Sequence, residues 1–256
     1  MPSHQQKPLK TADAAPSISV IIPSLQEEGL IAETLRQFTP GIKNEFGVEV
    51  IVSDGGSTDR TVCLARDHAD RVVERNPVER ENISIGRNHG ARAARGEILV
   101  FINADVRVGD PERFFGLIRR TIADPEVAGA TCDVLIYPSE EKLIDKLFHN
   151  FFNGYFHLLN WFGMGMGRGE CHILRRALFE QLGGYNQALA AGEDYELFVR
   201  LRRLGKIAYL PGFEVYESPR RYRRYGYLWI TILWFLNGIW AFFFKKSFVH
   251  QWKPVR

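Results

Sequence analysis

Two aspartates follow the most apolar runs of this 256-residue chain. Asp54 comes after Val48 to Val52, and Asp105 comes after Ile98 to Ile102. A carboxylate in such a place can hydrogen-bond a ribose, hold a hard divalent cation or take a proton from a hydroxyl group. For a lone aspartate, a side chain that only caps the following turn is the simpler explanation. The elements around the two acids therefore decide what chemistry they serve.

Short β-branched runs alternate with helical patterns through the first hundred residues. The predicted strands are 18–22, 48–52, 71–74 and 98–102. The predicted helices are 27–38, one after Asp54 that is capped by Ser57 or Thr58, and 87–95. This alternation predicts an α/β fold with a doubly wound, mostly parallel, Rossmann-like sheet. Ligands of such sheets bind outside the carboxyl ends of the strands, where both aspartates fall.

Charge is divided unevenly along the chain. The whole sequence carries +3, but eight Lys and Arg and no acid occur from Ser218 onward, so the preceding residues carry −5. An acidic body with a basic, aromatic tail favours an anionic membrane surface as partner and argues against nucleic acid. The three cysteines have neither metal-binding nor redox spacing, which indicates reduced structural thiols.

Six short motifs resemble, in order, those of the inverting family 2 glycosyltransferases, which have the GT-A fold. They are Ile21 to Glu28 (IIPSLQEE), Val52 to Asp59 (VSDGGSTD), Gly86 to Ala91 with Gly96 to Ile98, Asn103 to Asp105 (NAD), Gly183 to Tyr185 (GGY) and the pair Glu193 and Asp194. Each motif alone is weak, but six in the same order make the resemblance specific.

The resemblance implies a role for individual residues. Pro23 and Glu27 would line the nucleotide pocket, Asp54 would bind the nucleobase or ribose, and Arg87 would lie beside it. Asp194 would be the general base that takes a proton from the acceptor hydroxyl.

Asp105 would hold a divalent cation, Mn²⁺ or Mg²⁺. The donor would be a UDP-, GDP- or dTDP-linked sugar, and the enzyme would be of hexosyltransferase type. Judged from the residues alone, an acid at the start of a helix is also favoured simply by the helix dipole, which would explain Asp194 without catalysis.

Two positions depart from the family pattern. Asn103 replaces the first acid of the D-x-D motif, so it can hydrogen-bond a ribose but adds no charge toward the metal. Gln26 replaces an asparagine. Glu217 is a candidate second metal ligand, and a solvent-exposed glutamate is the alternative interpretation.

The segment from Leu147 to Phe162 has apolar residues at helical spacing, which predicts an amphipathic helix. It either packs in the core or forms a wall for a lipid or aromatic acceptor. The glycine-rich segment 163–169 follows, and its Arg168 is available to a phosphate of the donor. The histidines at 149, 157 and 172 lack metal-ligand spacing and are interpreted as surface or packing residues.

We expect a disordered leader (1–16), a GT-A domain (17–218) and a membrane-associating tail (219–256). The apolar stretch from Tyr225 to Phe244 has 20 residues, which at about 1.5 Å per residue just spans a bilayer core. A helix lying in the membrane plane and a helix buried in an oligomer are the alternatives. The expected location is the cytoplasmic face of the membrane, with a lipid-linked acceptor or a cell-envelope glycan.

Other nucleotide-binding classes fit less well. A sugar-phosphate nucleotidyltransferase needs a basic, glycine-rich loop after the first strand, where this chain has the acidic segment 23–28. A dinucleotide-binding oxidoreductase needs GxGxxG at that point, which is absent. A nucleotide-sugar or polysaccharide binding module without catalysis stays open, because Asn103 is uncharged.

Overall fold

The structure is a computed structural model that describes residues 16–75 and 82–244. The strands are β1 (Ile18–Ser24), β2 (Val48–Asp54), β3 (Arg71–Glu74), β4 (Ile98–Ile102), β5 (Val106–Arg107), β6 (Val127–Ile136), β7 (Cys171–Arg175) and β8 (Lys206–Glu217). The helices are α1 (Ile31–Arg36), α2 (Pro40–Phe46), α3 (Thr61–Arg66), α4 (Ile83–Ala93), α5 (Pro111–Ala123), α6 (Leu143–Trp161), α7 (Arg176–Gln181), α8 (Glu193–Leu201), α9 (Arg220–Tyr225) and α10 (Tyr227–Phe244). The predicted leader lies outside the described residues except for Pro16, as does the end of the predicted tail from residue 245.

All strands belong to one sheet with the order β3-β2-β1-β4-β7-β6-β8-β5. The first four strands in this order are mutually parallel, and β6 pairs with β8 in parallel. The pairings of β7 with β4 and β6, and of β5 with β8, are antiparallel. The predicted α/β fold with a mostly parallel sheet is therefore confirmed.

Successive side chains of the central strands enter two different hydrophobic clusters. Val20 of β1 faces the cluster that α1, α2 and α5 cover, whereas Ile21 faces the cluster that α4, α7 and α8 cover. The central runs are buried on both faces, which explains their continuous apolar sequence. This double layer places the carboxyl ends of β1, β2 and β4 at one edge.

The predicted helix over 27–38 is shorter than expected. α1 covers only Ile31–Arg36, and Pro40 begins α2 instead of ending a helix. Proline suits a first helical position because its missing N–H would have no partner there, and Thr39 caps this helix by accepting a hydrogen bond from the Ile42 N–H at 3.4 Å.

The expected caps and ends of three further elements also differ. α3 begins at Thr61, so neither Ser57 nor Thr58 caps it. α4 begins at Ile83, where Asn82 accepts a hydrogen bond from the Ile85 N–H at 2.9 Å. β1 continues through Pro23 to Ser24 and does not stop at the proline. A proline fits here because not every residue of β1 has to donate a backbone N–H to β2.

The helix α6 turns much of its apolar surface outward. Its buried stripe is Asp145, His149, Phe152, Asn153 and Phe156. Its exposed apolar residues are Leu143, Ile144, Leu147, Phe151, Leu158 and Trp161. Core packing, one of the two interpretations of this helix, therefore holds for Phe152 and Phe156 but not for Leu147 or Phe151. Of its inward polar groups, Asn153 is paired through its amide with both backbone groups of Val134.

The apolar stretch of the predicted tail is interrupted at Gly226. This residue has φ of 79°, a conformation that favours glycine, and it separates α9 from α10. Among the residues that the structure describes, no helix combines the length and apolarity needed to cross a membrane.

Candidate active site

Asp54 ends β2, and its carboxylate is bonded within its own turn. Oδ2 accepts from the backbone N–H groups of Gly56 at 2.9 Å and Ser57 at 2.7 Å, and Oδ1 accepts from the hydroxyls of Ser57 at 2.5 Å and Ser24 at 3.2 Å. Ser24 directly follows Pro23, so the ends of β1 and β2 are held together here. Asp54 therefore shapes the turn, and its contact with a nucleoside stays a prediction.

Arg220 joins the loops that follow β1 and β4. Its Nη2 donates to Glu27 Oε1 at 2.6 Å and to Asp105 Oδ2 at 3.2 Å. Burial raises the pKa of Glu27, and the charge of Arg220 offsets only part of this rise. The other oxygen of Glu27, Oε2, is buried without a hydrogen-bond partner among the described residues. Two predicted site residues are thus tied together by a residue from the predicted tail.

Asp105, Glu170 and Glu217 form a group of mutually repelling carboxylates. Burial raises the pKa of Asp105, and the charge of Glu170 adds to the rise. Burial also raises the pKa of Glu217 well above its usual value, with contributions from the charges of Glu170 and Asp105. The Tyr222 hydroxyl donates to Glu217 Oε1 at 2.7 Å. Glu217 is therefore not a solvent-exposed residue.

These carboxylates fit a divalent cation, because a cation would offset their repulsion. Within the described ranges, however, no three His, Cys, Asp or Glu side chains are grouped closely enough to hold a metal by themselves. The donor set is therefore suited to a cation that shares its coordination with phosphate oxygens, as Mg²⁺ and Mn²⁺ commonly do.

Arg168 is buried beside this acidic group. Its Nε lies 3.4 Å from Glu170 Oε2, its Nη1 donates to Asn153 Oδ1 at 3.2 Å, and its Nη2 lies 3.7 Å from Glu217 Oε1. Nη2 makes no hydrogen bond with any described residue. A buried guanidinium with an unused donor suits an anionic ligand group, as predicted for Arg168.

Arg87 holds together three segments of the site. Its Nη1 donates to Glu193 Oε1 at 2.6 Å, and its Nη2 donates to the Gly169 carbonyl at 2.7 Å and to Asn103 Oδ1 at 3.1 Å. No hydrogen bond joins it to Asp54 in the part of the chain that is described. The buried Glu193 carboxylate pairs with the guanidinium, and the expectation that Arg87 lies beside Asp54 stays a prediction.

Asp194 lies in the first turn of α8, which begins after Gly192 in the left-handed conformation. Its Oδ1 accepts from the Tyr195 N–H at 2.9 Å. Its Oδ2 faces Gly169, where an added Cβ would lie 3.2 Å away. Burial and the neighbouring charge of Glu193 raise the pKa of Asp194 to about 8. Such a carboxylate accepts a proton near neutral pH far more readily than an ordinary aspartate does.

These side chains surround a pocket of about 110 Å³, which we call the catalytic pocket. Four predicted site residues line it: Arg87, Asn103, Arg168 and Asp194. The remaining predicted site residues, Pro23, Glu27, Asp54, Asp105 and Glu217, do not line it in the described part of the chain.

Several residues of the site were not predicted. Glu170 and the α10 residues Trp234 and Asn237 line the catalytic pocket, and Arg220 bridges two predicted residues. In the sequence, Glu193 was noticed only as part of a motif with Asp194, and its ion pair with Arg87 was not predicted. The other contacts connect distant parts of the chain, and no local pattern marks them.

A Rossmann-like sheet with carboxylates and buried arginines at its strand edge is the architecture of a GT-A glycosyltransferase. The family model described as "Glycosyl transferase family 2" matches residues 19–183. This match covers more than half of the sequence, and the chain belongs to that family.

Individual relatives agree with this assignment. A probable glycosyltransferase of Bacillus subtilis, YdaM, is 26% identical over 218 residues, which are 79% of this chain and 51% of that protein. The chain thus spans about half the length of this curated relative.

Two solved structures share the fold. The mannosyltransferase PcManGT from Pyrobaculum calidifontis, in complex with GDP-Man and Mn²⁺, superimposes with a TM-score of 0.63 at 23% identity, over 83% of this chain and 61% of that one. The glucosyl-3-phosphoglycerate synthase of Mycobacterium tuberculosis, in complex with Mn²⁺, UDP and glucosyl-3-phosphoglycerate, superimposes with a TM-score of 0.54 at 20% identity, over 86% and 79%.

Proposed function

We propose that this glycosyltransferase moves a sugar from a nucleoside diphosphate to a hydroxyl acceptor with inversion, and that Asp194 is the general base. The observation that carries this proposal is the position of Asp194. It lies in a pocket with two buried arginines, and its pKa of about 8 suits proton removal near neutral pH. The helix dipole alone would explain an acid at the start of α8, but it would not explain why that acid faces this pocket.

The arginines and carboxylates have separate roles in this proposal. Arg168, with its unused donor, binds a phosphate of the leaving nucleoside diphosphate. Asp105 and Glu217 hold a divalent cation, Mn²⁺ or Mg²⁺, which when bound neutralises charge on the departing diphosphate. Arg87 holds Glu193, Asn103 and the segment at Gly169 in place around Asp194. UDP-, GDP- and dTDP-linked sugars are all candidate donors.

We also propose that the enzyme works at a membrane surface, where it meets a lipid-linked or cell-envelope acceptor. The support is the set of large apolar side chains that α6 and α10 expose, including Phe151, Trp161, Leu228 and Trp229. Arg224, an exposed residue of α9, closely precedes Leu228 in the chain, which favours anionic lipid. The location on the cytoplasmic face stays a prediction.

The base is tested with a panel of UDP-, GDP- and dTDP-sugars in the presence of Mn²⁺. We expect wild-type turnover of at least one donor, and a loss of at least about 10²-fold in kcat for Asp194→Asn with donor binding retained. Glu180→Gln, which changes an exposed carboxylate of α7, is the control and keeps its activity. Full activity of Asp194→Asn would refute the base assignment. Donor binding without any wild-type turnover would indicate a binding module instead.

A further inference from the structure

A second, larger cavity lies between α6, α8 and α10. Its volume is about 540 Å³, and we call it the apolar cavity. Phe152 of α6, Val199 of α8 and Gly238 of α10 lie on three of its sides. Its volume falls within the range of about 300–1,000 Å³ that is usual for sites of small organic ligands. The cavity is therefore large enough to hold part of a substrate.

The apolar cavity adjoins the catalytic pocket. Phe156, Tyr195 and Trp234 line both of them. The rings of Phe156 and Tyr195 stack with centroids 5.9 Å apart, so α6 and α8 meet at this boundary. A molecule whose reacting hydroxyl lies at Asp194 can extend past these rings into the apolar cavity.

The lining selects an apolar ligand. Its charged residues are Glu196, Arg200 and Arg203. Glu196 and Arg200 pair with each other at 2.7 Å, and Arg200 also donates to the carbonyls of Leu182 and Gly184 at 2.8 Å. These two charges are satisfied within the protein and do not call for a polar ligand. Most of the remaining lining is aromatic or aliphatic, with Met164 and Met166 as adaptable walls.

The apolar cavity opens on the exposed face of α6 and α10. Met164, Phe235 and Ile239 belong to its lining, and about half of the surface of each is exposed. We propose that the apolar cavity binds the aliphatic chain of a lipid acceptor whose hydroxyl lies in the catalytic pocket. This inference rests on the proposed glycosyl transfer and names the class of its acceptor.

Chain-length dependence of binding tests the inference. Octyl, decyl and dodecyl β-glucosides share one head group, and their binding to the full chain is measured by calorimetry below their critical micelle concentrations. Because each buried methylene contributes roughly a fourfold gain in affinity, we expect roughly 15-fold tighter binding for every two methylenes added. Equal affinity along the series would overturn the inference.

A variant that fills the apolar cavity provides the second test. A Cβ at Gly238 would meet only Tyr195, at 3.9 Å, so Gly238→Leu directs its side chain into the cavity. Leucine also favours a helix more than glycine does, and α10 is therefore expected to form normally. We expect Gly238→Leu to weaken dodecyl glucoside binding at least tenfold.

The matched control is Gly116→Leu in α5. An added Cβ has no neighbour within 4 Å there, and α5 packs on the opposite face of the sheet from α8. Equal weakening in both variants would contradict the inference. Val199→Phe fills the same cavity from α8 and replaces Gly238→Leu if circular dichroism shows that the latter does not fold.

Donor binding separates this inference from the proposed function. UDP and GDP binding with Mn²⁺ should be unchanged in Gly238→Leu. A chain-length effect on glucoside binding by a protein that transfers no sugar would support lipid binding in the apolar cavity and count against the proposed glycosyl transfer. Farnesyl phosphate is tested as a second kind of ligand. If either the alkyl glucosides or farnesyl phosphate bind less tightly to Gly238→Leu than to the wild type, the inference is supported. Conversion of a wild-type dimer to a monomer by Gly238→Leu, without any chain-length effect, would show that a second copy covers the cavity and would overturn the inference.

Discussion

Asp194 and Glu193 are neighbours in the chain, but their carboxylates have different surroundings. Glu193 pairs with the buried Arg87, whereas Asp194 accepts one backbone hydrogen bond and faces the catalytic pocket. The negative charge of Glu193 helps to raise the pKa of Asp194. One acid of the pair thus organises the site, and the other is left for chemistry.

The pKa of Asp194 predicts a pH profile. A base must be deprotonated, so kcat/KM should rise with pH, about tenfold per unit below pH 8, and level off above it. Glu193→Gln removes a charge that raises this pKa, so its profile should shift to lower pH. Initial rates between pH 6 and about 10 measure both profiles.

The control for this shift is Glu180→Gln. Glu180 is an exposed carboxylate of α7 that pairs with Arg176, and we expect the profile of this variant to match that of the wild type. A profile that falls with rising pH, or an unshifted Glu193→Gln, would contradict the role of Asp194.

Arg220 lies against Asp105, where a cation is proposed to bind. Removing its positive charge should strengthen Mn²⁺ binding in the absence of donor, by about fivefold or more for Arg220→Gln. Arg224→Gln removes an exposed arginine of the same helix and should leave the affinity unchanged. Titration followed by electron paramagnetic resonance of free Mn²⁺ measures this effect. Weaker Mn²⁺ binding by Arg220→Gln would show that Arg220 supports the metal site instead of competing with it.

Among the elements, α9 and α6 are linked by one ion pair. Arg223 donates to both carboxylate oxygens of Asp145, whose side chain is fully buried, and Nη1 lies 2.7 Å from Oδ1. Burial alone would raise the pKa of Asp145, but hydrogen bonds from Arg223 and the Lys142 N–H lower it below its ordinary value. The pair therefore fixes the predicted tail to the domain.

Arg223→Ala should destabilise the protein by leaving this carboxylate without its partner. Because Arg223 is itself partly exposed, we expect a loss of about 2–3 kcal/mol in the free energy of unfolding at pH 7. Urea denaturation measures it, and Arg224→Ala should change the free energy by less than about 0.5 kcal/mol.

The same variant has a signed pH dependence. The lowered pKa of Asp145 means that its contribution is present above the unfolded-state value of 3.8 and is lost as pH falls through the folded-state value. The difference between wild type and Arg223→Ala should therefore narrow below about pH 4. A difference that stays constant on acidification would contradict the account of this pair.

At the scale of the whole molecule, the apolar helix α10 lies within the basic part of the sequence. α6 and α10 present large apolar side chains, and the chain from Ser218 onward carries all of its charge as Lys and Arg. The domain before it is acidic overall. This asymmetry favours one orientation on an anionic surface.

Vesicle binding tests that asymmetry. Phe151 and Leu228 are 66% and 75% exposed, and the double variant Phe151→Glu, Leu228→Glu should bind anionic vesicles at least about tenfold more weakly. Leu204→Glu, an exposed leucine just after α8, is the control. Cosedimentation measures binding, and added salt should weaken it in the wild type. Equal binding by all three proteins would rule out this face as the contact.

The sequence alone determined the parallel strands β1 to β4 and the edge of the sheet at which the site lies. The runs at Ile18, Val48 and Ile98 form strands because continuous burial on both faces demands apolar, β-branched residues, and that requirement is local. The same patterns predicted α6 but left the role of its apolar face open, because periodicity identifies an apolar face but does not say whether protein covers it.

Only the tertiary structure decided which polar groups meet. Arg220 reaches Glu27 across 193 residues, and Arg87 reaches Glu193 across 106. Such pairs form because a buried charge needs a partner, and any arginine that the fold brings close can supply it. The sequence therefore placed Asp54 and Asp105 at the strand edge. The folded chain enclosed Asp54 within its own turn, paired Asp105 with an arginine from the tail and left Asp194 facing the catalytic pocket.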